Sequence, residues 1–180
     1  MALTVKVDPG KHTIRITKSG YFPVKFDVTV EAGEICNIST TLIPTNAATL
    51  IDIKIRPSEP KVGDTVDLEW SIKNNASEPI RARVRATFNG TTKTSSETTV
   101  SAGSIAGGTI RLGTFTSAKT VSVTVEAQVY VINHEKGAGW YTTDRKTITF
   151  TVKERKATIT ITTSPSGASV YIDGRYVGKT

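Results

Sequence analysis

Most of this chain alternates between apolar and polar residues, the pattern of β-strands that have one side in water. Residues 121–131 place valine or alanine at every second position, and residues 80–88 alternate apolar residues with arginine. Asn89-Gly90, which follows the second of these runs, is the strongest hairpin signal in the chain. No long stretch carries apolar residues at helical spacing. The sequence therefore predicts an all-β protein.

The middle of the chain, residues 49–153, has the strand spacing of a β-sandwich. We count about seven alternating segments there, separated by turn residues. After the first of them come Val62-Gly63-Asp64-Thr65-Val66 and Trp70. This stretch resembles the immunoglobulin-like domains of cell-surface proteins. The cysteine pair of antibody domains is missing, since Cys36 is the only cysteine of the chain. We expect an immunoglobulin-like architecture with Trp70 in its core.

Both ends of the chain contain predicted short strands, and neither end has enough of them to form a stable sheet by itself. Near the C-terminus, Ile159 and Ile161 alternate with threonine, and Asp173-Gly174 is a tight hairpin turn between two further short strands. Residues 3–42 predict four more strands, each with one apolar face. A short hairpin is only marginally stable alone in water, so each end requires additional strands.

The two ends resemble complementary halves of one domain. Pro165-Ser166-Gly167-Ala168, Val170–Gly174 and Tyr176–Thr180 resemble the opening half of a PEGA domain, a small β-domain of bacterial and archaeal surface proteins, with serine in place of the family's glutamate. Leu3–Tyr21 and the Ala32-Gly33-Glu34 turn resemble its closing half. In family order, Thr180 would run almost directly into Leu3. The predicted organisation is a closing half (1–43), a linker (44–48), the sandwich (49–153) and an opening half (154–180).

A split domain implies that the halves meet, either within one chain or between neighbouring copies. An odd number of antiparallel strands places the ends of the sandwich at opposite poles, which favours contact between copies, head to tail. We therefore predict a structural subunit of an extracellular or cell-surface filament that assembles by strand complementation. One out-of-phase repeat of a long covalent array, and a cell-wall or glycan-binding module, are the alternatives. The predicted assembly interface comprises Leu3, Val5, Val7, Ile14, Ile16, Ile159, Ile161, Val170, Ile172, Tyr176 and Val177.

The net charge of +7 does not by itself indicate a nucleic-acid partner. Such binders concentrate basic residues and interleave aromatic ones, whereas lysine and arginine are spread along this chain. The densest basic stripe is Arg81, Arg83 and Arg85, which is either a solvated strand face or a surface for acidic groups. No apolar run is long enough to span a membrane.

Residue patterns of catalytic, metal or cofactor sites are not found. His12 and His134 lie outside any cluster with the ligand spacing of a metal site, and His12 follows the Pro-Gly-Lys turn that resembles the PEGA family. The run Gly174–Thr180 has the wrong glycine spacing for a phosphate-binding loop, and no helix follows it. Cys36 alternates with Ile38 and is expected to be a small buried residue. We predict a protein that is not an enzyme and needs no cofactor.

Two sets of surface residues remain candidates for glycan chemistry. The first is a possible ligand loop at His134, Trp140 and Tyr141, where aromatic rings are close to glycines and could stack on sugars. The second consists of three possible glycosylation sites in Asn-x-Ser/Thr sequences. These are Asn37, Asn75 and Asn89.

Overall fold

The protein is all-β, as predicted, in a computed structural model that describes residues 3–180. Residues 1 and 2, the first two of the predicted closing half, lie outside the described residues. The strands are β1 (Gly10–Ile16), β2 (Val24–Val30), β3 (Ala48–Arg56), β4 (Thr65–Asn74), β5 (Ile80–Phe88), β6 (Thr91–Thr94), β7 (Thr98–Val100), β8 (Ile105–Thr114), β9 (Lys119–Val131), β10 (Gly139–Val152), β11 (Ser169–Ile172) and β12 (Arg175–Lys179).

The central body is a pair of antiparallel sheets that share one core. One sheet has the strand order β3-β4-β8, and the other has β10-β9-β5, with β6 and β7 both paired to β5. The predicted alternation holds, because the inward residues of β4, β5 and β9 are all at most 7% exposed. The core therefore lies between the two sheets, and the polar residues of β4, β5 and β9 face outward with the exception of Asn74, which is buried.

Trp70 is buried in this core, as predicted, with 6% of its surface exposed. Its cross-strand partner on β8 is Gly108, and the indole ring occupies the space above that glycine. A Cβ atom at Gly108 would lie 2.7 Å from the indole carbon Cζ2 of Trp70. Glycine at this position thus makes room for the tryptophan.

The turn at Asn89-Gly90 is confirmed, while the strand predicted after it is interrupted. Asn89 and Gly90 have φ angles of 46° and 73°, the left-handed conformation of a type I′ hairpin turn. The polar run that follows the turn is divided into β6 and β7, with residues 95–97 between them outside any strand. The hydroxyl of Ser95 accepts a hydrogen bond of 2.9 Å from the backbone N–H of Val84, in place of a regular ladder bond.

The N-terminal segment contains two strands, so the prediction of four strands within residues 3–42 is wrong. Strands β1 and β2 form a hairpin in which Gly10 pairs with Val30 and Ile16 with Val24. Residues 3–7 and 35–42 form no strand. A β-strand requires a hydrogen-bonded neighbour, and no residue within 3–180 pairs with either segment.

The C-terminal segment departs from prediction in the same way. The hairpin of β11 and β12 is confirmed, with Asp173 and Gly174 at φ angles of 51° and 78° in its turn. The alternating segment 157–163, however, has no partner strand among the described residues. Its side chains therefore lie outside any sheet.

Cys36 is exposed, which corrects the prediction of a buried thiol. The prediction assumed that residues 35–42 pair with a neighbour and cover one face. Without a neighbour, Cys36 stays open to solvent, and Ile38 and Leu42 are only half-buried.

The two terminal segments are attached to opposite poles of the sandwich. The N-terminal segment contacts the turn between β9 and β10, where the Lys25 N–H donates to the Asn133 carbonyl at 2.9 Å. The chain leaves the other pole after Val152, where the Lys153 N–H donates to the Pro60 carbonyl at 2.8 Å. Strand β10, which has 14 residues, runs from one pole to the other, a distance of roughly 45 Å.

Candidate assembly surface

The exposed apolar side chains of the described residues are concentrated in the two terminal segments. Of the thirteen large hydrophobic residues that are exposed, ten lie within residues 3–46 or 156–180. Leu3 is 90% exposed, Ile35 82% and Ile159 68%. Such side chains are normally scattered singly on a soluble protein, and larger groups mark interaction sites. The terminal segments therefore carry an apolar surface that the rest of the described chain does not cover.

The predicted interface residues fall into two groups. Three of them are half-buried, because each lies on the apolar face of its own hairpin: Ile14, Ile16 and Val170. The remaining eight are exposed, with between 38% and 90% of their surface in solvent: Leu3, Val5, Val7, Ile159, Ile161, Ile172, Tyr176 and Val177.

An aromatic cluster holds the N-terminal segment on the sandwich. The imidazole of His134 stacks on Tyr141 at 3.8 Å between ring centroids and meets the edge of Phe22 at 5.7 Å. Phe22 and His134 are both 8% exposed. Because this cluster is closed, two of the three predicted ligand-loop residues, His134 and Tyr141, are packed against the N-terminal segment.

Polar contacts surround the aromatic cluster. The Arg15 Nε donates to Glu135 Oε2 at 2.5 Å, and this bond lowers the pKa of the Glu135 carboxyl. The backbone N–H of Lys136 donates to Nδ1 of His134 at 3.0 Å. Burial lowers the pKa of His134, since the cluster favours the neutral imidazole. The docked segment is thus held by packing against a neutral histidine and by hydrogen bonds across the contact, while the bond from Lys136 to His134 fixes the ring within its own turn.

The predicted linker, residues 44–48, is part of this attachment. The Phe22 N–H donates to the Ile43 carbonyl, and the Thr45 N–H donates to the Gly20 carbonyl, both at 2.9 Å. Ala47 and Ala48 are fully buried. The connection between the N-terminal segment and the sandwich is therefore well packed.

The C-terminal segment has a different relation to the sandwich. No hydrogen bond joins residues 156–180 to any other part of the described chain. Within the segment, the rings of Tyr171 and Tyr176 meet edge to face at 5.5 Å. Arg155, just before it, donates to the Val62 carbonyl at 2.9 Å and pairs with Asp64. The segment therefore joins the sandwich only through the chain that leads into it.

Sequence reasoning missed two exposed residues of the terminal segments. Tyr171, 62% exposed, lies opposite Tyr176 in the hairpin register, so the two tyrosines share a face. Alternation alone had placed only Val170 and Ile172 on an apolar face. A cross-strand register read from the Asp173-Gly174 turn would have found the pair. The second residue is Ile35, which was missed because the apolar face of its segment was assigned to the even-numbered residues Cys36 and Ile38.

The third residue of the ligand loop, Trp140, lies away from His134 and Tyr141 on the outer face of its sheet. Its ring stacks under the Arg83 guanidinium, 4.3 Å from ring centroid to Cζ, and meets the Tyr130 ring at 5.4 Å. Arg81 covers the Tyr130 ring in the same way at 4.6 Å. The loop residues therefore do not form one joint surface.

Two side chains on the same outer face are buried although they are polar. Glu126 is 3% exposed, and both Arg85 and Arg145 reach its carboxylate at 2.5 Å. Burial opposes the charge of Glu126, but the hydrogen bonds from the two arginines outweigh it, and the pKa of the carboxyl is lowered. Gln128, also 3% exposed, accepts a hydrogen bond from Arg83 at 2.9 Å.

The three possible glycosylation sites are all exposed, but their side chains differ in hydrogen bonding. The Nδ2 atom of Asn75 donates to the Asn46 carbonyl at 3.0 Å and to Thr49 Oγ1 at 2.7 Å. A glycan on that nitrogen would replace one of these two bonds. Asn37 and Asn89 have no side-chain hydrogen bond among the described residues, and glycosylation there stays a prediction.

Three comparisons with known proteins bear on these segments. Residues 2–46 and 156–180 match the PEGA domain family, while residues 47–155 lie outside the match. No curated protein matches the chain. Among solved structures, a Pseudomonas fluorescens alkylpurine DNA glycosylase, AlkC, bound to DNA containing an abasic site analog, is similar with a TM-score of 0.42 and 11% identity over 59% of this chain. The similar region spans 30% of that chain.

The PEGA match has the split form expected from the sequence. Its two parts are the two segments that carry the exposed apolar side chains, and they lie at opposite poles of the sandwich. The PEGA family is a non-catalytic domain family found in surface-associated proteins. Within residues 3–180, no helix has the length and apolarity to cross a bilayer. The terminal segments of this chain are therefore the two parts that match the PEGA family.

Proposed function

We propose that this protein is a non-enzymatic structural unit of an extracellular or cell-surface assembly, in which the C-terminal segment of one copy completes the N-terminal segment of the next. The observation that carries the proposal is the position of the two PEGA-like parts. Each part exposes apolar side chains and unpaired backbone, and the sandwich separates them by its full length.

The reach of the chain argues against closure of the two parts within one copy. Residues 153–155 connect β10 to the C-terminal part, and three residues span roughly 10 Å at full extension. The N-terminal part lies at the far pole, roughly 45 Å away along β10. A neighbouring copy avoids this distance, because its N-terminal part can approach the C-terminal pole directly.

Addition of a strand from a neighbouring copy would give the terminal segments what they lack, which is backbone hydrogen bonds and cover for their apolar side chains. Residues 3–7, 35–42 and 157–163 have alternating apolar residues and no strand partner among the described residues. A partner strand supplies backbone hydrogen bonds and covers apolar side chains at the same time. Full burial of a side chain such as Leu3 or Ile159 contributes roughly 1.5–3 kcal/mol. Several such residues on each side are enough to hold a specific contact.

The contact joins two different surfaces, so repetition of it produces a chain of copies. Such a head-to-tail contact forms a ring if the rotation closes and an open filament if it does not. The same contact would operate between separate subunits or between successive repeats of a longer polypeptide. Both versions give a linear array of sandwiches joined by completed PEGA-like domains. The proposed location outside the cell agrees with the surface-associated proteins in which this family is found.

Charge on the apolar face of residues 157–163 tests the proposal. We expect the double variant Ile159→Lys and Ile161→Lys to remain folded and to stay monomeric, because two lysines cannot be buried in a completed domain. The matched control is Thr158→Lys and Thr160→Lys, which adds the same charge on the opposite face. Light scattering and negative-stain microscopy give particle size, and denaturing mass spectrometry gives the chain mass.

The control variant should form the same particles as the unmodified protein. Long particles of 19.3 kDa chains would indicate separate subunits, and long particles of a much heavier chain would indicate covalent repeats. Normal particles from the isoleucine variant would contradict the proposal, as would a compact monomer of the unmodified protein at every concentration.

A further inference from the structure

The outer face of the sheet β10-β9-β5 carries four arginines in a regular arrangement. Arg81, Arg83 and Arg85 occupy alternate positions of β5, with buried residues between them. Arg145 of β10 lies two strands away from Arg85, because both are paired in register with Glu126 of β9. We call these four residues the arginine face.

The carboxylates in contact with this face do not balance its charge. Glu97 pairs with Arg81 at 2.6 Å, and Glu126 is shared by Arg85 and Arg145. Arg83 has no carboxylate within ion-pair distance among the described residues, and its side-chain partner is the neutral amide of Gln128. Two carboxylates therefore serve four guanidinium groups, and Arg83 makes no direct ion pair among the described residues.

The packing of the arginine face determines which kind of anion it suits. Arg81 and Arg83 lie over the rings of Tyr130 and Trp140, so each of these rings presents one face to a guanidinium. Proteins that bind single-stranded nucleic acid stack bases on open aromatic faces. Here those faces are covered by Arg81 and Arg83, so bases cannot stack on them, and the exposed groups are guanidinium N–H donors, which pair with carboxylates and with phosphates.

Hydroxyl groups lie on one side of the arginines, beyond the row formed by Arg85, Glu126 and Arg145. The next outer-face row contains Thr124 opposite Thr147, and two rows further along lie Thr120 and Thr151. The hydroxyls of Thr120 and Thr151 lie 3.2 Å apart. A ligand that lies along the sheet would meet cations in one region and hydroxyl donors and acceptors in the next, which is the combination that an acidic sugar chain requires.

We propose that the arginine face binds an acidic polysaccharide, with a sugar carboxylate on Arg83 and the hydroxyls of sugars further along the polysaccharide on the threonine rows. The binding surface is on the side of the sandwich and uses neither terminal segment. It therefore does not depend on head-to-tail assembly, and failure of either proposal leaves the other standing.

Affinity for polygalacturonate oligomers, measured by isothermal titration calorimetry at low salt, tests the proposal. We expect Arg83→Gln to weaken binding about tenfold, because one charge-assisted contact is lost. The matched control is Arg111→Gln, which removes the same charge from the other sheet, where Arg111 pairs with Asp67 at 3.3 Å. Neutral dextran and a single-stranded DNA oligomer serve as ligand controls.

A second variant makes the test independent of folding defects. Glu97→Gln removes the carboxylate that competes for Arg81, and we expect it to tighten polygalacturonate binding about threefold. Equal weakening by Arg83→Gln and Arg111→Gln would overturn the proposal, because it would show attraction to the overall net charge. Binding of dextran or DNA as tight as that of polygalacturonate, or no binding of polygalacturonate, would also overturn it.

Discussion

Asn74, at the end of β4, links this strand to β7 and to the turn before β5, although it is polar and fully buried. Its Nδ2 donates to the carbonyls of Glu78 and Val100, both at 2.9 Å. Its Oδ1 accepts from the Ala76 N–H at 2.8 Å. The side chain thus satisfies backbone groups that would otherwise be buried without a partner. The bond to Val100 could not be predicted from alternation, since a hydrogen-bond partner distant in sequence leaves no local pattern.

We predict that Asn74→Ala lowers the free energy of unfolding by about 3 kcal/mol, because three hydrogen bonds are lost and buried backbone groups are left unpaired. Urea unfolding monitored by tryptophan fluorescence measures the change. Asn37→Ala, at an exposed position outside the strands, is the control and should change stability by less than about 0.5 kcal/mol. A loss below about 1 kcal/mol in Asn74→Ala would mean that water replaces the amide.

The titration of His134 is a second effect at the scale of one residue. Burial lowers its pKa in the folded protein, so the contribution to docking is complete above the ordinary value of 6.5 and is lost as the pH falls through the lowered value. Glu135, Lys136 and Arg15 are the charged groups around it. Protonation at Nδ1 would also break the bond from the Lys136 N–H.

We expect amide protection at Lys25 and Glu135 to decrease on acidification below pH 6.5, since both N–H groups bond across the docking contact. Hydrogen exchange detected by NMR, corrected for intrinsic rates, measures this protection. His134→Phe keeps an aromatic ring and should remove the dependence in this range, whereas His12→Gln should retain it. The same pH dependence in His134→Phe would assign the effect to other groups.

At the scale of elements, the hairpin β1–β2 is held on the sandwich mainly by Phe22. This ring lies between the end of the hairpin and the rings of His134 and Tyr141. The hairpin has no other sheet beside it within residues 3–180. Its position therefore depends on the packing of this aromatic side chain and on the hydrogen bonds around it.

Replacement of Phe22 by alanine should release the hairpin without unfolding the sandwich. We predict a local loss of about 3 kcal/mol, which corresponds to exchange roughly a hundredfold faster at the Lys25 and Glu135 amides. Amides of β9 and β10 should keep their protection. Val28→Ala, at a half-buried position of β2 away from the contact, is the control. Unchanged exchange at Glu135 in Phe22→Ala would show that the hydrogen bonds alone hold the hairpin.

Turns and strands were predictable where the residue pattern is specific and the pairing partner is close in sequence. The Asn89-Gly90 and Asp173-Gly174 turns were identified because residues with positive φ are specific to them. Residues 3–7 and 157–163 have the same alternation as the core strands, yet they form no strand in the described chain. Alternation shows which face of a segment would be buried. Whether the segment forms a strand depends on a neighbouring strand, and the described chain provides none for these two segments.

At the scale of the whole molecule, the sequence located the two PEGA-like parts and their apolar residues. It also implied opposite poles from the odd number of strands. The docking of the first part through Phe22 and His134 was not predictable, because these residues are far apart in sequence and neither belongs to a motif. The arginine face was visible as a stripe on β5, but its charge balance required Glu126, Glu97 and Arg145 to be placed in space.

The attachment of the terminal segments at opposite poles determines how the sandwich would carry mechanical force in a linear array. Tension would enter at the start of β3 and leave at the end of β10, along the direction of the strands. The hydrogen bonds between neighbouring strands are perpendicular to that direction. They would therefore be loaded in shear, many at once, and not be opened one after another from an end. In the proposed array, the sandwich would therefore be oriented to resist stretching.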